Sequence, residues 1–176
     1  AAAKNQFAAG KLWKRVSKRY FALVQGELPF PAGLIDLPLR REEPLELRRV
    51  VDPEGQTART EFRVLAAAGG ASLVGFVLHT GRTHQIRVHL SHLGHPLLGD
   101  VFYDGREEPG LGRQALHCGM VIFPHVITGE EQRVPAPLPE DLRRVMDRLG
   151  LPWREEWLDF SPAADPMALP RFLRRV

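Results

Sequence analysis

Apolar positions along the chain follow two periods. Tyr20 to Gly26 (YFALVQG) is a β-type run closed by a glycine, and it predicts a strand. Thr60, Phe62 and Val64 alternate with charged neighbours, as a half-buried strand does. After a Gly69-Gly70 turn, Ser72 to His79 (SLVGFVLH) is apolar on both sides, the pattern of a central strand, so these two runs predict a hairpin. Between Thr83 and Leu93 the period lengthens. Ile86, Leu90 and Leu93 fall at i, i+4 and i+7 on one helical face, Val88 falls on another side, and Gly94 followed by Pro96 supplies the stop. Strand-like pieces return at Ala115 to Phe123 and Gln132 to Pro135, separated by Pro124 and a Thr128-Gly129 turn. Pro139 opens a helix that carries Leu142, Val145, Met146 and Leu149.

The remaining segments read as irregular. Pro29, Pro31, Gly33 and Pro38 break the chain into turns, and the highly charged stretch from Arg40 to Gln56, with its Asp52-Pro53-Glu54-Gly55 turn, predicts an exposed excursion. Beyond Gly150 the composition shifts to Trp153, Trp157, Phe160 and four prolines, which predicts an appended tail packed on the rest. Strands outnumber helices. The fold class is therefore α+β, a largely antiparallel mixed sheet with flanking helices.

Composition narrows the class. The chain has 176 residues, 44% hydrophobic and 26% charged, which supports a core and argues against wholesale disorder. A lone cysteine, Cys118, excludes an internal disulfide framework and a Cys-rich zinc module. The sequence contains no apolar run of membrane-spanning length, and AAAKNQFAAGKLWKR lacks the apolar centre of a signal peptide, so the expected location is the cytoplasm, away from membranes. Net charge is +3, unevenly placed: Lys4, Lys11, Lys14, Arg15, Lys18 and Arg19 precede any acid, whereas the rest carries 18 basic against 21 acidic residues. On charge alone a solvated surface explains this. With Trp13 and Tyr20 interleaved, the segment also suits an anionic partner such as nucleic acid.

The densest polar cluster is Thr80-Gly81-Arg82-Thr83-His84-Gln85-Ile86-Arg87-Val88-His89, at the junction of a buried strand and a half-buried helix. Arg87, flanked by Ile86 and Val88, needs an anionic partner there. A structural pair with a core aspartate and a functional pair with a carboxylate or phosphate both fit the spacing. Asp100, after Gly99, reads from local sequence as a turn residue. His84, His89, His92 and His95 do not share one face and have no intervening carboxylate, which disfavours a metal site.

The run LHTGRTHQIRVHLSHLGHPLLGDVFYDG, Leu78 to Gly105, closely resembles the family of RNA pseudouridine synthases that modify ribosomal and transfer RNA, whose signature reads T-G-R-x-H-Q-(I/L)-R-x-H and then G-x-P-(I/L)-x-G-D-x-x-Y. Lys18-Arg19-Tyr20 with Ala22, Val24 and Gly26 is similar to the family's K-x-Y strand. Leu116-His117, Phe123-Pro124-His125, Thr128-Gly129 and Pro137 to Asp141 are similar to its closing motifs, so the likeness covers roughly residues 3 to 149. The resemblance implies an isomerase of uridine in structured RNA, working without cofactor or metal and monomeric when complete. It implies Tyr20 as the base-contacting tyrosine and Arg87 as the arginine that pairs with the nucleophilic aspartate. Arg82 and His84, together with Lys11, Lys14, Arg15, Lys18 and Arg19, become expected RNA contacts, and Thr83, Gln85, Asp100 and Tyr103 supporting motif residues.

One element departs from the pattern. The family's nucleophile lies in H-R-L-D-x-x-T-S-G, upstream of a strand ending like Ala3-Lys4-Asn5, and none of the eight aspartates here has that context. The expectation is a synthase catalytic domain over residues 1–149 that lacks its N-terminal part and is inactive by itself, with residues 150–176 as a C-terminal extension. Alternatively, the chain is a short homologue that binds RNA without modifying it. A metal-dependent nuclease or hydrolase stands further off.

Overall fold

The computed structural model describes residues 15–172. Seven strands form one sheet: β1 (Ser17–Gln25), β2 (Ala32–Asp36), β5 (Arg59–Ala68), β6 (Ala71–Leu78), β7 (Leu116–Pro124), β8 (Glu131–Pro135) and β9 (Arg171–Phe172), in the order β8-β7-β1-β6-β5-β2-β9. Every pairing is antiparallel except β2 with β9. β3 (Leu39–Arg41) and β4 (Arg49–Val51) make a separate two-stranded ribbon, and the helices are α1 (Gln85–His92) and α2 (Glu140–Leu149). This is the expected α+β class with a largely antiparallel sheet.

Strand alternation sorts the core onto two faces. Ala22 and Val24 of β1, with Val74 and Phe76 of β6, meet Ile86 and Leu90 of α1. The intervening Phe21 and Val77 meet Leu158 and Phe160 of the C-terminal segment, while Leu23 and Leu73 meet Leu142, Val145 and Met146 of α2. Ile86 and Leu90 of α1, with Leu93 at its C-terminal cap, face the sheet, whereas Val88 enters a second cluster with Leu39, Ala58 and Tyr103. α1 is therefore apolar on two sides and polar where Arg87 emerges.

Two departures from the sequence expectation matter. The Pro29 to Pro38 stretch contains a genuine strand, β2, paired with β5 on one side and β9 on the other. Its Gly33 lies under two aromatic rings, where a Cβ would stand 2.5 Å from Phe172 and 2.8 Å from Phe62. The charged excursion is also ordered, since β3 and β4 pair over Leu39 to Arg41 and Arg49 to Val51. The C-terminal segment packs on the sheet as expected and runs across it to the far edge. Gly75 makes room for it: a Cβ there would stand 2.9 Å from the Phe160 ring.

Candidate active site

The polar signature folds as a loop leaving β6 and the first turns of α1. Its hub is Gln85, which is 2% exposed. The Gln85 Oε1 accepts from the Thr80 hydroxyl (2.8 Å) and the Arg82 amide (3.0 Å), while Nε2 donates to the Arg59 carbonyl (3.0 Å) and Thr60 Oγ1 (2.9 Å). Thr60 in turn donates to Nδ1 of His89 (2.8 Å), whose Nε2–H reaches the Leu37 carbonyl (2.9 Å). Each polar group in this relay from Thr80 to Leu37 has a partner, and the direction of every bond is fixed by its neighbours. Burial holds the His89 pKa down at about 4, so the ring is neutral and structural.

Arg87 projects from α1 and grips Asp100 through two parallel bonds, Nε to Oδ2 at 2.7 Å and Nη2 to Oδ1 at 2.6 Å. The Asp100 side chain is 1% exposed and that of Arg87 13%. The local reading of Asp100 as a turn residue is incomplete: its carbonyl does close the turn, accepting from the Tyr103 and Gly105 amides, but its carboxylate is the anion Arg87 requires. Arg87 also lies 4.7 Å from the centre of the Tyr103 ring and 5.6 Å from that of Phe102, a cation–π packing that fixes the guanidinium plane.

His84 opens α1 in the left-handed region, φ 57°. The Tyr103 hydroxyl accepts from the Arg49 amide (3.0 Å) and shares a hydrogen bond with Nδ1 of His84 (2.8 Å). Burial, followed by the charge of Arg87, lowers the His84 pKa. Burial likewise raises that of Tyr103.

Tyr20 stands on β1 at a register shift where it pairs with Phe76 on one side and Cys118 on the other. Burial, then the nearby Cys118, raises its pKa, so the phenol is neutral. With Val16, Lys18, Leu78, His79, Thr80 and Gly81 it lines a cavity of about 390 Å³, which no carboxylate lines. That size lies within the roughly 300–1,000 Å³ of small-ligand pockets. Tyr20 packs against the core cluster that contains Ile86 and Leu90 of α1.

The expected RNA contacts separate. Lys18 lines the cavity with Tyr20. Arg15 is exposed, and Lys11 and Lys14 lie outside the described residues. Arg19 requires a correction. It is 5% exposed on the opposite face of the sheet, donates from Nε to the Phe160 carbonyl (2.9 Å) and stacks on the Phe160 ring (5.7 Å). Alternation along β1 sends Lys18 and Tyr20 one way and Arg19 the other, so Arg19 anchors the C-terminal segment. Arg82 donates from Nε to the Thr57 carbonyl (3.0 Å), Gln85 is the hub described above, and Thr83 sits between them in the loop.

Sequence reasoning missed His79 and Glu61. His79 lines the Tyr20 cavity and donates from Nε2 to Glu61 (2.9 Å), whose other oxygen accepts from the Ala163 amide (2.7 Å). The C-terminal segment thus reaches the cavity wall in two hydrogen bonds. The strand register gives Glu61 opposite Val77, but nothing local marks Ala163 as its partner. Among the described residues no group of three or more His, Cys, Asp or Glu could hold a metal ion, and no helix is long and apolar enough to cross a membrane.

Comparisons with known proteins bear on this geometry. The family model described as RNA pseudouridylate synthase matches residues 2–92. An uncharacterized RNA pseudouridine synthase of Bacillus subtilis (strain 168), YjbO, is 44% identical over 131 residues, covering 74% of this chain and 46% of that protein. Ribosomal large subunit pseudouridine synthase D of Vibrio vulnificus (strain CMCP6) is 38% identical over 159 residues, covering 79% and 49%. The chain therefore spans less than half the length of either. Among solved structures, human RNA pseudouridylate synthase domain containing 1 superposes with a TM-score of 0.65 at 26% identity, covering 93% of this chain and 72% of that one.

Proposed function

The chain belongs to the RNA pseudouridylate synthase family, and from that premise we propose that it forms the base-binding and arginine-bearing part of an enzyme isomerising uridine to pseudouridine in structured ribosomal or transfer RNA. Isomerisation breaks the C1′–N1 bond, rotates the uracil and forms a C1′–C5 bond; the C5 hydrogen leaves as a proton and N1 gains one, so no oxidant or reductant is consumed.

The observation that carries the reading is the Arg87–Asp100 grip on α1, the helix that follows the Thr80-Gly81 wall of the Tyr20 cavity. Asp100 uses the Nε/Nη2 edge of Arg87, and the Nη1 side of the fork is left to hold a second carboxylate. A carboxylate held there stays ionised and ready to act as the nucleophile. Tyr20 and Leu78 offer the target base a flat and an apolar surface once it leaves its stack, and Lys18 meets the backbone.

No aspartate lines the Tyr20 cavity. Asp36, Asp52, Asp104, Asp141 and Asp159 are paired with arginines elsewhere, and Asp165 bonds the Met167 amide. In this reading the nucleophile is supplied from outside the 176 residues, and this chain by itself binds RNA without modifying it. The same observation favours the second reading, a non-catalytic RNA-binding homologue. Arg87→Lys in the gene product that contains this chain discriminates between them. It keeps the charge and removes the fork, so modification of an unmodified ribosomal RNA transcript falls by about 100-fold or more while RNA retention changes by only a few-fold. Unchanged modification, or none in the parent, overturns the isomerase reading.

A further inference from the structure

We propose that Arg49, Arg82 and Gln56 form a phosphate-binding pocket beside the start of α1, and, resting on the RNA-modifying reading, that it holds one backbone phosphodiester of the RNA. The pocket encloses about 130 Å³ and is lined by Leu39, Arg49, Gln56, Gly81, Arg82 and Thr83. That room is enough for one tetrahedral anion.

Charge is the first argument. Two arginines line the pocket and no acidic residue does. Arg48, Arg59, Arg87, Arg113 and Arg148 all have acidic partners within ion-pair distance. Arg49 has none among the described residues, and its Nε is buried without a hydrogen-bond partner. Arg82 spends only its Nε, on the Thr57 carbonyl, and likewise has no acidic partner among the described residues. A partly buried guanidinium with an unsatisfied donor calls for an anion, and its planar fork matches phosphate oxygens.

Position is the second. Gly81 lines both this pocket and the cavity of Tyr20, so the two share a wall. A phosphate held here lies next to a nucleotide whose base enters that cavity. Arg49 belongs to β4, so the charged ribbon acquires a purpose: it carries one half of the anion clamp to the loop that carries the other. Its backbone is tied down, because the Arg49 amide donates to the Tyr103 hydroxyl.

The test is binding, read separately from isomerisation. The affinity of the 176-residue chain for a structured RNA without uridine is measured over a range of salt concentrations, for the parent, Arg49→Gln and Gln56→Glu. Arg49→Gln is expected to weaken binding several-fold and to reduce the slope of log affinity against log salt by about 0.7–0.9, one phosphate's worth. Gln56→Glu puts a carboxylate in the clamp, so it is expected to raise thermal stability while weakening RNA binding. A merely structural Arg49 would not produce that opposition. An unchanged slope in Arg49→Gln overturns the proposal, as does Gln56→Glu that binds RNA like the parent. A parallel titration with inorganic phosphate separates the sources: saturation by phosphate without any RNA affinity overturns the RNA assignment. Because the RNA lacks uridine, an absence of isomerase activity leaves these outcomes intact.

Discussion

Arg87 and Asp100 form a bidentate pair at 2.6 and 2.7 Å, with the Asp100 carboxylate almost wholly removed from solvent. The pair joins α1 to the turn that ends at Tyr103, and the Tyr103 ring covers the guanidinium. An aspartate so held serves to aim an arginine and is a poor nucleophile, because its oxygens are already committed.

Breaking this pair from the acidic side is expected to be costly. Asp100→Ala leaves Arg87 partly buried and unpaired, with a predicted loss of about 3–5 kcal/mol in urea unfolding. A loss below about 1 kcal/mol would show that the pair contributes little to the fold.

The buried His89 makes stability pH-dependent. Its folded pKa of about 4 lies below the ordinary 6.5, so the unfolded chain binds the proton more readily. Stability from this group is complete above pH 6.5 and is lost as pH falls from 6.5 towards 4, by roughly 3 kcal/mol in total. His84, also lowered, adds in the same direction. His89→Gln should be less stable at pH 7 and should flatten the slope between pH 6.5 and 4; an unaltered slope contradicts the assignment.

Lys18 and Arg19 are adjacent in sequence and lie on opposite faces of the sheet. Lys18→Ala should weaken RNA binding with little change in unfolding free energy. Arg19→Ala should leave RNA affinity near the parent value while costing about 1–3 kcal/mol, because the Phe160 carbonyl loses a charged donor. Equal effects of the two on RNA binding would contradict the two-face description of β1.

At Gly75 the sheet has no room for a methyl group beneath Phe160. Gly75→Ala is expected to destabilise by about 1–3 kcal/mol and to loosen the segment around Phe160, seen as faster amide exchange there. Protection unchanged at Phe160 would contradict this packing.

Much of this arrangement is legible in the sequence because it is local. The 3.6-residue period of Ile86, Leu90 and Leu93 and the alternation in Thr60, Phe62 and Val64 set α1 and β5 directly, and the polar density from Thr80 to His89 marks the loop around which the site is built. Residues whose meaning depends on distant partners were not legible. β2 is concealed by prolines and a glycine, and exists because β5 and β9 pair with it and two rings press on Gly33. Arg19 shares a basic run with Lys18, and counting charge merges residues that alternation separates. Asp100 resembles a turn residue until α1 brings Arg87 to it, and Arg49 is one arginine among many until its missing partner is seen.

The most direct test of the central claim is tritium release from RNA carrying [5-³H]uridine, since joining C5 to C1′ expels the C5 hydrogen. Stoichiometric release, with pseudouridine in the digested RNA, is expected from the gene product that contains this chain, and RNA binding without release from the 176-residue chain alone. Release by the 176-residue chain alone would contradict the claim that the nucleophile comes from outside it, and the absence of release from the gene product on ribosomal and transfer RNA would contradict the isomerase assignment itself.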